Sequence, residues 1–108
     1  MLEKHHIIFR SQGGLNFPLN YKYLTAEQHR GNNSPHMSRE IDLQYKVELE
    51  QELRHTLTDT HYSIDELIQI LELEKKQAYK GFKQVSKGSK GMEKEDVIFR
   101  LLGGRFYL

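Results

Sequence analysis

No cysteine occurs anywhere in the chain, which removes two devices that small polar chains use to hold a fold together, the disulfide and the thiolate-bound zinc. At 108 residues the chain suits one small domain, or a compact motif with an extension. Hydrophobic residues make up 37% and the mean hydropathy is −0.72, so a single large core is not expected, and a metal or a partner is the expected support. Six histidines are the only soft ligands left, and four of them fall before residue 37. No apolar run approaches the ~18 residues of a membrane span, and no signal-like apolar stretch opens the sequence, so a soluble cytoplasmic protein is expected.

The net charge of +1 conceals a segregation. Residues 1–36 carry +2, residues 37–74 carry −7 and residues 75–108 carry +6. Basic ends around an acidic middle fit a chain that grips nucleic acid at two places.

Lys4 to Phe9 reads as a strand on β-branched Ile7 and Ile8. Ser11-Gln12-Gly13-Gly14 breaks it, and Pro18 keeps the next stretch out of a sheet interior. Tyr21 to Leu24 alternates as a returning strand would. Thr25 and Gln28 form a capping box for one helical turn bearing His29, and Arg30 to Pro35 is a polar loop. From Met37 to Leu57 a long helix is expected, with Ile41, Tyr45, Leu49, Leu53 and Leu57 recurring every four residues and Val47 close by. Lys46, Glu50 and Arg54 are spaced for ion pairs on its wet face. Thr58 to His61 is turn-like. Ser63 and Glu66 open a second capped helix on Ile64, Leu67, Ile68 and Leu71, and a third runs from Lys75 to Val85. Ser86 to Gly91 reads as a flexible basic loop, Glu93 to Leu102 as a last helix, and Arg105 to Leu108 as a small strand or an ordered tail.

The chemistry-bearing residues are His5, His6, Asn20, His29 and His36. Phosphodiester hydrolysis needs a base for the attacking water, a cation on the phosphate and stabilisation of the leaving oxygen. Adjacent histidines on a strand point to opposite faces, so one can bind metal while the other faces the water. An asparagine in the following loop can fix that loop, orient the base or ligate the metal. Isolated, a His-His pair is more often inconsequential surface chemistry, and His55 and His61 read as helix-end or surface residues.

His5-His6-Ile7-Ile8, Ser11-Gln12-Gly13-Gly14, Asn20 and Leu24 through His29 together resemble the HNH endonuclease family over residues 4–36. His29 to His36 is similar to the variant in small phage-encoded members, as are the chain's size and its Gly103-Gly104-Arg105-Phe106-Tyr107 segment. The resemblance implies a ββα-metal motif over residues 1–36, and the helical periodicities that follow give a helical extension over 37–108 with a helix-turn-helix-like pair, so an α+β, mostly helical chain forming one compact unit is expected. The resemblance also implies His6 as general base, Asn20 as the central asparagine and His5 and His29 as ligands of a divalent ion (Mg, Mn, Ni or Zn), with His36 as a further ligand. Two departures stand out. Thr25 and Gln28 occupy positions where many relatives carry zinc-knuckle cysteines, and the His29–His36 spacing of seven is not the four that aligns residues on one helical face.

In the extension, Ile68, Leu71, Leu73, Ala78 and Phe82 are spaced to pack two helices together. Glu72 stands where such turns prefer glycine. Lys75, Lys76, Lys80, Lys83, Lys87 and Lys90 follow with no acid among them. They can contact phosphates without reading sequence, or form a plain solvated face. Arg10 and Arg30 join them as candidate nucleic-acid contacts. No Arg or Asn lies on Lys75 to Val85 to read bases, so sequence-specific recognition is not expected there. The leading expectation is a metal-dependent endonuclease acting on DNA in a bacterial host cell, with a packaging accessory role compatible with it. The alternative is an inactive HNH scaffold that regulates DNA or inhibits a host defence nuclease, its acidic helix over residues 37–57 facing a protein partner.

Overall fold

In a computed structural model that describes residues 1–108, Glu3–His6 (β1) and Tyr21–Leu24 (β2) pair antiparallel, with His5 opposite Lys22 and His6 opposite Tyr21. The first strand stops at His6 rather than running to Phe9. Beyond it the Ile7 and Ile8 amides leave the ladder and donate to the backbone and side-chain oxygens of Asn20. Short 3-10 turns at Arg10–Gln12 and Pro18–Asn20 fill the connection. Gly14 is obligatory inside it, because a Cβ there would lie 1.9 Å from the Ile8 carbonyl oxygen. Thr25 and Gln28 exchange both capping-box bonds, starting Ala26–Arg30 (α1), which packs back on the hairpin.

Ser38 caps Arg39–Thr56 (α2), the longest element. A second antiparallel pair, His61–Tyr62 (β3) with Met92–Glu93 (β4), brackets Ile64–Leu71 (α3) and Lys75–Gly81 (α4), and Lys94–Leu101 (α5) follows. The chain is thus α+β, five helices with two small antiparallel sheets. No helix is long and apolar enough to cross a membrane.

Four expectations need correction. The core is single: Ile7, Ile8, Leu15 and Phe17 from the hairpin region belong to the same 18-residue cluster as Leu53, Leu67, Phe82 and Ile98. Lys46 and Glu50 are not on a wet face; each is 1% exposed. A strict four-residue spacing gains about 40° of rotation per step on a helix of 3.6 residues per turn. The apolar stripe therefore drifts, leaving Ile41 and Tyr45 half-buried, while positions 46, 50, 53 and 57 share the inward face. Lys46 consequently pairs with Asp42 at 2.6 Å, not with Glu50. The helix begun at Lys75 closes at Gly81 rather than at Val85. Finally, Ser86 to Gly91 is no flexible loop but a turn held by reciprocal Gly88–Gly91 backbone bonds. Residues 105–108 form an ordered tail, with the amides of Tyr107 and Leu108 donating to Glu50 Oε1.

The α3–α4 connection carries the one non-glycine residue with positive φ, Glu72 at φ 57°, ψ 45°. A left-handed conformation costs an ordinary residue roughly 1–2 kcal/mol, partly offset in a comparison with glycine by the latter's extra ~0.5–1 kcal/mol of backbone entropy. Glu72→Gly should therefore raise stability, by up to about 1 kcal/mol. The check is a higher urea midpoint at unchanged m-value.

Candidate functional site

The alternation of β1 sends His5 inward, 1% exposed, and leaves His6 half-buried on the other side of the strand. The turn at Ser34, where the Met37 and Ser38 amides both donate to its carbonyl, carries His36 back over α1. As a result the rings of His5, His29 and His36 lie with centroids 5.0–5.2 Å apart. One ring nitrogen from each falls within 4.8 Å of the others. His29 and His36 meet through their Nε2 atoms at 3.2 Å, close to the separation of about 3.3 Å for two nitrogens on one tetrahedral ion at ~2.0–2.1 Å. The seven-residue spacing thus works through a turn beyond the helix instead of through a helical face.

Supporting groups escape a reading of spacing alone. Glu3 accepts from His29 Nδ1 at 2.9 Å, which places the lone pair of His29 on Nε2, the atom facing His36. Its other oxygen takes Arg30 Nη2 at 2.7 Å. The His29 bond, opposed by desolvation and helped by Arg30, holds the Glu3 carboxyl below its ordinary pKa. Phe9 stacks on His36 with ring centroids 5.1 Å apart, and the buried Lys46 ammonium sits 4.1 Å above the Phe9 ring. His5 Nε2 is buried without any hydrogen-bond partner. Burial, and then the neighbouring His36, His29 and Lys46, push its pKa down to about 4, so the ring is neutral and keeps a lone pair for a cation. The three histidines therefore lie close enough together to bind a metal ion.

His6 stands apart from that set. Its Nε2 lies 2.9 Å from Asn16 Oδ1, an acceptor, so Nε2 carries the proton and Nδ1 keeps its lone pair. Lys4, His5, His6, Phe9, Arg10, His29 and His36 line one concavity of about 270 Å³.

Asn20 is fully buried, and its amide is spent on the backbone: Oδ1 accepts from the Ile8 amide, and Nδ2 donates to the Ile8 and Leu15 carbonyls. Of the roles open to it, fixing the loop is the one the geometry supports, and it does not reach into the histidine concavity. Among the basic candidates, Arg30 is engaged by Glu3 and Lys87 donates to the Phe82 and Val85 carbonyls. Lys87 and Lys90 border a different hollow, beside Tyr62 and Asp65. Lys75 and Lys83 are simply exposed. Arg10, Lys76 and Lys80 come together across a cleft between the hairpin loop and α4.

Comparison of the chain with protein-family models, curated proteins and solved structures finds no match in any of the three.

Two outcomes follow from this geometry. Asn20→Ala should lose several kcal/mol, because three buried backbone groups are left unpaired at ~1–3 kcal/mol each. Urea unfolding checks this, and an inactive variant of undiminished stability would instead assign Asn20 a direct chemical role. Second, the folded pKa of His5, about 4, lies below its ordinary 6.5, so the unfolded chain takes up the proton first. In chelator, stability should be full above pH 6.5 and fall as the pH drops from 6.5 towards 4. His5→Phe, among Phe9 and Tyr45, should flatten that part of the profile.

Proposed function

We propose that the chain is a divalent-metal-dependent endonuclease of the HNH type that hydrolyses phosphodiester bonds in DNA. The observation that carries the reading is the division of labour across β1. His5 joins His29 and His36 on one side, while His6 stands on the other, oriented by Asn16. A hairpin followed by a short packed helix supports it, as does the buried unpartnered nitrogen of His5, which a cation would satisfy.

His5, His29 and His36 would hold the ion, with Glu3 fixing the tautomer of His29. A bound divalent cation supplies charge at the scissile phosphate and at the leaving oxygen. Imidazole is the side chain that exchanges a proton near neutral pH, and His6 takes the proton of the attacking water at Nδ1. The Asn16 bond keeps the ring from turning that nitrogen away. Arg10, exposed at the rim of the concavity, attracts the phosphate backbone.

The test is plasmid cleavage with Mg²⁺, Mn²⁺, Ni²⁺ and Zn²⁺ in turn. His6→Ala should lower turnover roughly 10²–10⁴-fold and still bind metal by calorimetry, whereas His5→Ala and His29→Ala should lose metal binding. Full activity in His6→Ala, or unchanged metal binding in both ligand variants, removes the assignment. Metal should also raise the melting temperature of the unsubstituted chain.

A further inference from the structure

The basic segment after residue 75 divides between two faces, and only one of them meets the histidine site. A cleft of about 810 Å³ separates the hairpin loop from α4. Its walls carry Arg10 and Asn16 on the loop side and Lys76, Gln77 and Lys80 on the helix side, with Arg100 from α5 between them. The two walls are tied by the Asn16 amide, which donates to Gln77 Oε1 at 2.5 Å.

Arg100 is the unusual member. Its Nε donates to the Gly81 carbonyl at 2.6 Å and its Nη1 to the Gly13 carbonyl at 2.9 Å, joining both walls. Gly81 gives it room, since a Cβ there would lie 3.2 Å from Nη2. No carboxylate reaches it within salt-bridge distance, nor does any reach Arg10, Lys76 or Lys80. Burial lowers its pKa with no acid to offset the cost. Glu74 is the one acid on the rim, and it is exposed. Four cations around one groove, the innermost fixed by backbone bonds and left without a counter-ion, form an anion site with rigid geometry.

The cleft adjoins the histidine concavity across one shared residue. Arg10 lines both, and Asn16, in the cleft wall, holds His6. The geometry points to this cleft as a phosphodiester-binding groove, in which Arg100, Lys76, Lys80 and Arg10 hold the backbone of a nucleic-acid strand that runs on to His6. The identity of the occupant rests on the nuclease reading; the anion site itself does not. Lys83, Lys87 and Lys90 lie outside the groove and do not contribute to this grip.

The experiment is binding, not cleavage, in the His6→Ala chain with chelator present. Fluorescence anisotropy is followed over a salt series, with a short labelled DNA duplex and, separately, its single strand. Lys76→Gln with Lys80→Gln should weaken binding by one to two orders of magnitude near 0.1 M salt, and flatten the slope of log K against log salt by about 1.8 for duplex, or about 1.4 for single strand. Lys83→Gln with Lys90→Gln removes the same charge outside the groove and should change affinity by no more than about twofold, as rim charges screened by salt do. Arg100→Gln should weaken binding as well. Because it also severs two backbone bonds, its thermal unfolding is measured alongside, and the lysine pairs decide the matter if it unfolds. Equal losses from the two lysine pairs, or no loss from either, overturn the groove. Groove-dependent binding in a chain that no metal renders active keeps the groove and discards the nuclease reading.

Discussion

The side chain of Asn20 is the constraint on which the rest of the site depends. Between the end of β1 and the start of β2 the chain makes a long excursion whose backbone groups have no ladder to join. One buried amide closes it, with Oδ1 on the Ile8 amide and Nδ2 on the Ile8 and Leu15 carbonyls, while its own carbonyl takes the Ile7 amide. Buried polar groups must be paired, and no other residue type offers both an acceptor and two donors on so short a stem. Once that excursion is closed, Ile8, Leu15 and Phe17 enter the core, Asn16 is aimed at His6, and the loop meets Gln77 on α4. The lysines of α4 thereby come beside a motif some 60 residues earlier in sequence, with |i−j| of 61 across the Asn16–Gln77 bond.

The buried ionised residues of α2 make a second, independent frame. Lys46 and Glu50 lie one turn apart, and each is served by a different part of the chain. Asp42 neutralises Lys46, whose ammonium rests on Phe9 and so backs the ring that stacks on His36. Arg54 and the amides of Tyr107 and Leu108 surround Glu50. Buried ion pairs of this kind add little net stability against an apolar replacement, and removing one partner alone is costly. Their visible consequence here is positional: Phe9, and with it His36, is set by a residue on α2, while the last four residues are set by another one turn further on.

What was legible in the sequence was local. The capping boxes at Thr25–Gln28 and Ser63–Glu66 formed as read, because a side chain that bonds three residues away needs no tertiary context. The strain at Glu72 was legible for the same reason. The histidines His5, His29 and His36 were legible as a set, though by resemblance more than by spacing, since the turn at Ser34 that unites two of them has no helical period. The β3–β4 pair was not legible: two residues from each side, 30 apart, carry no alternation to detect. Lys46 and Glu50 were misread because charge outweighed position, although 46, 50, 53 and 57 trace a helical face as well as the leucines do. Glu3 and Asn16 escaped because an acid or an amide near a histidine in sequence is commonplace; only a distance shows which nitrogen it holds.

Those two bonds set which nitrogen of each ring keeps a lone pair. A ring nitrogen is a ligand or a base only if the other nitrogen carries the proton, and the partner of that proton decides the matter. Glu3 accepts a hydrogen bond from Nδ1 of His29 and so turns Nε2 towards His5 and His36. Asn16 Oδ1 accepts a hydrogen bond from Nε2 of His6 and so leaves the lone pair on Nδ1. Glu3 brings a negative charge to the ring of His29, whereas the Asn16 amide fixes the orientation of His6 without adding charge. The carboxylate belongs to β1 and the amide to the excursion that Asn20 closes, so both tautomers are set by the same hairpin.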